Sequence, residues 1–259
     1  MTTETRMTPT TPTTPTTLCA VIPVYNHGAA VGAVARAVLG HGLPCVLVDD
    51  GSEPGCAQVL RDLAAAHPEK MTLVVLPVNQ GKGGAMLVGL REAQRLGFSH
   101  ALQIDADGQH DTRDIPAFVA AAKQHPERVI CGCPIYDASV PKGRFYGRYL
   151  THVWVWINTL SFAIKDSMCG FRVYPLAATV ALIDTQAIGL RMDFDVEILV
   201  RLFWRGVGIV NQPTHVIYPT DGVSHFRVLR DNVLISRMHA KLFFGMLLRL
   251  PVLLWHKVR

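Results

Sequence analysis

Alternation between short apolar runs and amphipathic segments is the feature of this sequence that most constrains its fold. The predicted strands are residues 18–23, 45–48, 72–76 and 101–104, and the predicted helices are residues 29–39, a segment ending at residue 63, and residues 85–96. Short connections between such elements are typical of an α/β fold, in which a mostly parallel sheet is flanked by helices on both faces. Ligands of these sheets bind beyond the carboxyl ends of the strands.

Polar side chains follow three of the predicted strands. They are Asn26 with His27, Asp49 with Asp50, and Asp105 with Asp107. Because parallel strands present their carboxyl ends at one edge of the sheet, we expect these three loops to lie close together. The sequence therefore predicts one polar site at that edge.

The strongest local pattern is the pair Asp105 and Asp107, which follows an apolar run and precedes a glycine. Residues i and i+2 of a strand point to the same face, so both carboxylates are expected to converge just past the strand end. Mg²⁺ or Mn²⁺ suits such oxygen ligands and keeps positions for the phosphate oxygens of a nucleotide. Gln109 offers a further oxygen. The alternative is a polar turn that caps the next helix, with Asp111 or Thr112 as the N-cap.

A glycine-rich segment at residues 81–84 precedes a predicted helix and contains Lys82. Backbone N–H groups at a helix start, with a lysine charge beside them, favour phosphate binding. The spacing differs from the P-loop and dinucleotide patterns, and a plain flexible loop is the alternative. Asp49 and Asp50 could likewise accept hydrogen bonds from a base or ribose, or simply cap a turn.

The chain is of single-domain size and apolar enough to bury a sizeable core. Residues 1–17 consist largely of Thr and Pro, which predicts a disordered tail without the apolar region of a signal peptide. Six cysteines without an export signal indicate reduced thiols in the cytoplasm.

The C-terminal part, residues 231–259, is basic and apolar in a chain of formal charge +5. Its apolar runs at residues 242–248 and 252–255 are each shorter than the roughly 20 residues of a bilayer span. We expect amphipathic C-terminal helices at an anionic membrane surface, the alternative being a helix packed on the protein's own core. Nucleic acid is not expected as a partner, because no recognised binding motif accompanies the basic residues.

Four segments, at residues 21–26, 48–52, 79–83 and 105–109, resemble the ordered signature of family 2 glycosyltransferases. The resemblance is closest to the polyprenyl-phosphate group, which includes dolichyl-phosphate mannosyltransferase, and it covers about residues 18–230. It implies a glycosyltransferase A fold that holds a nucleotide-diphospho-sugar with Mg²⁺ or Mn²⁺ and transfers the sugar with inversion.

The resemblance also implies site residues. The implied nucleotide-binding residues are Pro23, Tyr25, Asp50 and Lys82, with Asp49 as a supporting neighbour, and the implied metal ligands are Asp105, Asp107 and Gln109. His27 stands where relatives often have Glu, so the base, uracil or guanine, is left open.

Three further segments resemble acceptor elements of the family. Residues 167–172 resemble its Ser/Thr-Gly-Phe-Arg element, which implies that Arg172 grips an acceptor phosphate or the sugar diphosphate; a surface arginine without a role is the alternative. Residues 193–197 resemble the acidic start of the following helix, where Glu197 is the candidate to place an acceptor or act as general base. Asp193 or Asp195 would serve as an N-cap. Residues 221–227 resemble a later segment, with His225 and Arg227 facing the diphosphate or lipid headgroup.

These observations predict an inverting glycosyltransferase at the cytoplasmic face of a membrane. It would move a sugar from a nucleotide donor to a lipid-linked acceptor such as a polyprenyl phosphate, with Asp107, Glu197 and Arg172 as the catalytic residues. A lipid phosphate is already ionised and needs no base, whereas a hydroxyl acceptor needs a carboxylate. The alternatives are a sugar-phosphate nucleotidyltransferase and a non-catalytic nucleotide- or membrane-binding module. The sugar and the oligomeric state are left open.

Overall fold

The computed structural model describes residues 15–135, 142–216 and 228–258. The strands are β1 Leu18–Val24, β2 Cys45–Asp49, β3 Met71–Val75, β4 His100–Gln103, β5 Val129–Ile135, β6 Arg172–Pro175 and β7 Ile209–His215. The helices are α1 Gly28–Gly40, α2 Pro54–Ala66, α3 Lys82–Arg95, α4 Ile115–Gln124, α5 Lys142–Thr159, α6 Leu176–Thr185, α7 Phe194–Trp204 and α8 Val228–Val258. Most of the predicted tail, and the segment with His225 and Arg227, lie outside the described residues. Thr17, the last residue of the predicted tail, donates its N–H to Ser99 Oγ at 2.8 Å.

The strands form one sheet in the order β3-β2-β1-β4-β6-β5-β7. β6 runs antiparallel to β4 and β5, and every other neighbouring pair is parallel. The predicted mostly parallel sheet is therefore confirmed. Because β2, β1 and β4 are adjacent and parallel, the loops that follow them emerge at one edge.

Helices cover both faces of the sheet. Alternate residues of β1 point to opposite sides: Cys19 and Val21 pack with α3, α6, α7 and α8, while Ala20 and Ile22 pack with α1, α2 and α4. A strand buried on both faces reads as a continuous apolar run, which is how β1 and β2 appear in the sequence. The six cysteines are all free.

The C-terminal segment forms one continuous helix, α8, which contains both of its apolar runs. Pro251 lies inside it. The buried side chains of Met238, Leu242 and Met246 pack α8 onto the protein. Among the described helices, the segment Leu229–Trp255 is the one whose length and composition would suffice to cross a membrane, and 28% of its most apolar stretch is buried within the protein.

Candidate active site

The turn after β4 carries the predicted carboxylate pair. β4 ends at Gln103, so Asp105 and Asp107 lie beyond the strand and do not share a strand face as expected. Asp105 Oδ2 lies 3.6 Å from His110 Nε2, whereas Asp107 Oδ1 accepts the backbone N–H of Gln109 at 3.0 Å. Asp107 and Gln109 are partly exposed.

The capping alternative for this turn also holds, at a separate residue. Asp111 is the N-cap of the short 3-10 helix Thr112–Asp114 and accepts the Arg113 backbone N–H at 3.0 Å. Because Asp111 performs the capping, Asp105 and Asp107 are not needed for it.

Lys82 lies between two carboxylates at the sheet edge. Its Nζ is 2.9 Å from Asp105 Oδ2 and 2.9 Å from Asp195 Oδ2. Burial disfavours the charged form of each group, but the carboxylates outweigh it and raise the pKa of Lys82. In the same way, burial alone would raise the pKa of Asp105, yet the Lys82 ammonium holds that pKa well below its usual value. The three side chains form an ionic cluster, hereafter the Lys82 triad.

Asp195 was expected only as a possible N-cap. Asp193 occupies the N-cap position of α7, although its side chain makes no capping hydrogen bond there. Asp195, two residues later, points back under the sheet edge, where its Oδ1 accepts a hydrogen bond from Gln103 Nε2 at 2.9 Å. Asp195 is therefore the acidic residue of this segment that reaches the site.

Arg172 lies beneath the Lys82 triad and is completely buried. Its guanidinium donates to the backbone carbonyl oxygens of Ser167, at 2.6 Å, and of Asp195. This position disagrees with the expectation that Arg172 grips an acceptor phosphate. It also disagrees with the alternative of a surface arginine. Its place in β6, a short strand in the middle of the sheet, explains the burial, because such strands are covered on both faces.

The acceptor element identified at residues 167–172 does lie beside the triad. A Cβ atom added to Gly170 would collide with Asp105 and would approach Lys82 Nζ to 2.7 Å. Asp166 holds the start of this element, since its Oδ1 accepts the N–H groups of Met168 and Cys169, both at 2.8 Å. The backbone at Gly170 therefore packs directly against the site.

Asp50 organises the loop that leads into α3. Its Oδ1 accepts the N–H of Gln80 at 2.7 Å, and its Oδ2 accepts the N–H of Gly81 at 2.8 Å and Asn79 Nδ2 at 2.9 Å. Residues 79–81 are hereafter the donor loop. The oxygens of the buried Asp50 are therefore committed to holding this loop.

One backbone donor of the predicted phosphate cradle at the start of α3 is already engaged. α3 begins at Lys82, three residues before the predicted start, and the Gly84 N–H donates to the Leu190 carbonyl at 3.0 Å. A Cβ atom on Gly83 would lie 2.6 Å from the carbonyl oxygen of Gly189 and 2.6 Å from Phe194 Cβ. The glycines of this segment allow close backbone packing, and Lys82 at the helix start is paired with Asp105 and Asp195.

Gly83→Ala is expected to destabilise the protein by about 1–3 kcal/mol, because the added methyl group overpacks a tight backbone contact. Gly147→Ala is the matched control: this exposed glycine lies inside α5, and a Cβ atom there meets nothing within 4 Å. The control should stabilise the protein by roughly 0.5–1 kcal/mol. Urea unfolding of the two variants checks both values, and equal stability would contradict the proposed packing.

The loops after β1 and β2 are joined through Asn26. This residue has a φ of +57°, which asparagine tolerates better than most residues. Its N–H donates to Ser52 Oγ at 3.1 Å, and its Oδ1 accepts the N–H of Glu53 at 2.8 Å. Asp49 is buried and accepts the Ser52 N–H at 2.9 Å. The other implied nucleotide-binding residues in this region, Pro23 and Tyr25, are partly exposed.

Glu197 does not have the position expected of a general base. Its carboxylate is buried and accepts hydrogen bonds from Arg201 Nε at 2.8 Å, Lys241 Nζ at 3.0 Å and the Gly189 N–H at 2.8 Å. Sequence reasoning missed the pairing with Lys241 because that residue lies 44 residues away along the chain.

The turn after β4 offers carboxylate and amide oxygens of the kind that would suit a divalent cation. Within residues 15–135, 142–216 and 228–258, His, Cys, Asp and Glu side chains form no group of three or more that could hold a metal ion. Mg²⁺ is commonly held by one or two carboxylates together with substrate phosphates, and so needs no such cage. Asp105 is already paired with Lys82, so Asp107 and Gln109 would supply the remaining oxygens.

The mostly parallel sheet, with polar residues at the carboxyl edge of its strands, has the architecture of a glycosyltransferase A fold. The sequence model of glycosyl transferase family 2 matches residues 19–188. The chain belongs to this family, which confirms the prediction of a family 2 glycosyltransferase and of its fold.

Curated relatives share parts of the sequence. An undecaprenyl-phosphate 4-deoxy-4-formamido-L-arabinose transferase of Aeromonas hydrophila is 34% identical over 110 residues, which are 40% of this chain and 33% of that protein. The polyprenol monophosphomannose synthase of Mycolicibacterium smegmatis is 26% identical over 208 residues, or 74% of each protein. The chain thus spans about a third of the length of the first of these relatives.

Solved structures support the fold at low sequence identity. Glucosyl-3-phosphoglycerate synthase of Mycobacterium tuberculosis, solved with phosphoglyceric acid, has a TM-score of 0.64 and 15% identity, covering 89% of this chain and 79% of that one. A mannosyltransferase of Pyrobaculum calidifontis, solved with GDP-Man and Mn²⁺, has a TM-score of 0.57 and 17% identity. The match covers 92% of this chain and 66% of that one.

Proposed function

We propose that this glycosyltransferase moves a sugar, with inversion, from a nucleotide-diphospho-sugar to a lipid-linked acceptor such as a polyprenyl phosphate. The observation that carries the proposal is the convergence of the Lys82 triad, the β4 turn and the Gly170 backbone at one sheet edge. The names of relatives support the acceptor class, because they include an undecaprenyl-phosphate transferase and a polyprenol monophosphomannose synthase.

The proposed donor site uses the loops after β1, β2 and β4. The implied nucleotide-binding residues are Pro23, Tyr25, Asp49, Asp50 and Lys82. Asp107 and Gln109, with Asp105 nearby, would hold Mg²⁺ or Mn²⁺. The bound cation would neutralise the diphosphate and so favour its departure.

The proposed acceptor chemistry depends on positioning. A phosphate acceptor is already ionised, so holding it in line with the sugar supplies most of what the protein must add. For a hydroxyl acceptor, Asp195 replaces Glu197 as the proposed proton acceptor, because it is the carboxylate of that segment that meets Lys82. Arg172 supports Asp195 from below and is proposed to act without contacting substrate.

The proposed membrane contact is made by α8. Large apolar side chains are exposed along it, among them Phe244, Leu248 and Trp255, and Arg237 lies exposed on the same helix. Apolar groups beside cationic ones favour the interface of an anionic bilayer. We propose a location at the cytoplasmic face of a membrane, where a lipid-linked acceptor is presented.

Calorimetric titration of UDP, GDP and their sugar conjugates, with and without Mn²⁺, tests the donor site. We expect one nucleotide to bind in a metal-dependent manner and Asp107→Asn to weaken that binding by about tenfold or more, because one carboxylate charge is lost. Gln58→Ala, on an exposed part of α2, serves as the control and should bind like the native protein. Failure of both nucleotides to bind to folded protein would contradict the proposal.

The second arm of this experiment offers two acceptors to the protein with the donor it binds. A short-chain polyprenyl phosphate in anionic vesicles should become glycosylated, and soluble phosphoglyceric acid should not. Phe244→Ser with Leu248→Ser should lower vesicle binding and lipid transfer together while nucleotide binding is unchanged. Product formed only on the soluble acceptor would overturn the lipid part of the proposal.

A further inference from the structure

Glu197 joins three parts of the molecule although it is buried within α7. Arg201 pairs with it from the same helix, Lys241 reaches it from α8, and the backbone N–H of Gly189 donates to it from the loop before α7. A buried carboxylate needs such partners because an unpaired charge in the interior is costly. Its pairing therefore fixes the positions of both Lys241 and Gly189.

The loop that contains Gly189 rests on the donor loop. Residues 186–193, hereafter the bridging loop, connect α6 to α7. The carbonyl of Leu190 accepts the Gly84 N–H at 3.0 Å, and Arg191 Nη1 donates to Asn79 Oδ1 at 3.2 Å. A Cβ atom on Gly81 would lie 2.6 Å from the Leu190 carbonyl oxygen. Because the backbones of the two loops are in direct contact here, a displacement of the bridging loop should also displace the donor loop.

Lys241 is the outer member of this arrangement. Its side chain is 53% exposed, while that of Glu197 is 2% exposed. The ammonium also lies 3.4 Å from the carbonyl oxygen of Ala187, at the start of the bridging loop. A displacement of α8 would withdraw this cation from both groups and leave the carboxylate short of one partner.

We propose that Glu197 is a positioning residue that couples the seating of α8 to the shape of the donor loop. The nucleotide-sugar site is then fully formed when Lys241 is in place, so the helix proposed to meet the membrane also tunes donor binding. The link to a membrane depends on the proposed function, whereas the coupling between α8 and the donor loop depends only on the contacts above. Coupling of this kind is reciprocal, so nucleotide binding should in turn hold α8 in place.

Lys241→Met tests the proposal, because it keeps an aliphatic side chain at a half-exposed position and removes the cation. We expect the KM for the nucleotide-sugar to rise about fivefold or more while kcat changes little, and Lys241→Arg to restore the native value. Arg230→Met is the matched control: it removes the same charge near the start of α8, at an exposed position, and should leave the donor KM unchanged.

Amide hydrogen exchange gives a second readout that does not require turnover. In Lys241→Met, peptides from residues 186–193 and 79–84 should exchange faster than in the native protein, and in Arg230→Met they should not. Equal changes in the two variants, or faster exchange confined to α8, would overturn the coupling. If the native protein binds no nucleotide, the proposed function fails, and the exchange experiment still decides whether α8 and the donor loop are coupled.

Discussion

Lys82→Met is expected to reduce sugar transfer by more than about a hundredfold and to lower the free energy of unfolding by about 3–5 kcal/mol. The ammonium lies within 2.9 Å of carboxylate oxygens of both Asp105 and Asp195. Without it, two largely buried carboxylates lose the cation that they share, and the proposed donor site loses a positive charge.

Urea unfolding and initial transfer rates measure the two effects separately. The double variant Lys82→Met with Asp195→Asn removes one of the opposing charges, so it should recover much of the stability but little of the activity. Lys70→Met, at an exposed position, is the control and should change stability by less than about 0.5 kcal/mol. Full activity in Lys82→Met would show that the triad has no part in transfer.

The Lys82 triad also gives the stability a defined dependence on pH. The pKa of Asp105 is lower in the folded protein than its usual value. The Lys82–Asp105 pair therefore contributes stability at pH values above the usual carboxyl pKa. That contribution is lost as the pH falls towards the depressed pKa. The difference in stability between the native protein and Lys82→Met should therefore shrink on acidification.

Much of the fold could be predicted because both faces of the sheet are covered. Strands β1 and β2 are buried throughout, so their apolar runs were visible without any knowledge of their neighbours. The start of α3 was less predictable. Glycines at 83 and 84 disfavour helix in isolation, and the helix begins at Lys82 because the bridging loop packs closely against them.

The candidate site was predicted in its location but only partly in its residues. The four loops identified in the sequence follow β1, β2, β3 and β4, and they do meet at one edge of the sheet. They meet there because these four strands are adjacent and parallel. The choice between Asp195 and Glu197 could not be made from the sequence, since both lie in the first turn of α7. Their partners, Lys82 and Lys241, come from distant parts of the chain and exist only in the folded protein.

Arg172→Met is expected to lower the free energy of unfolding by about 3–5 kcal/mol, although it is a change to an apolar residue of similar length. The guanidinium is fully buried and donates to the carbonyl oxygens of Ser167 and Asp195. Methionine removes both of these buried hydrogen bonds, and Arg172→Lys should remain destabilised because one ammonium does not reproduce the geometry of the fork. Arg113→Met, at an exposed arginine paired with Asp111, should cost less than about 1 kcal/mol.

The same variant separates a supporting role from direct contact with substrate. If Arg172 acts by holding Ser167 and Asp195, Arg172→Met should lower the free energy of unfolding. The folded fraction of this variant should still bind the acceptor with nearly native affinity. If Arg172 instead gripped an acceptor phosphate, as the family resemblance implied, the variant would keep its stability and lose acceptor affinity. Burial of the side chain favours the first result, because a guanidinium without access to solvent reaches a substrate only after the surrounding strands open.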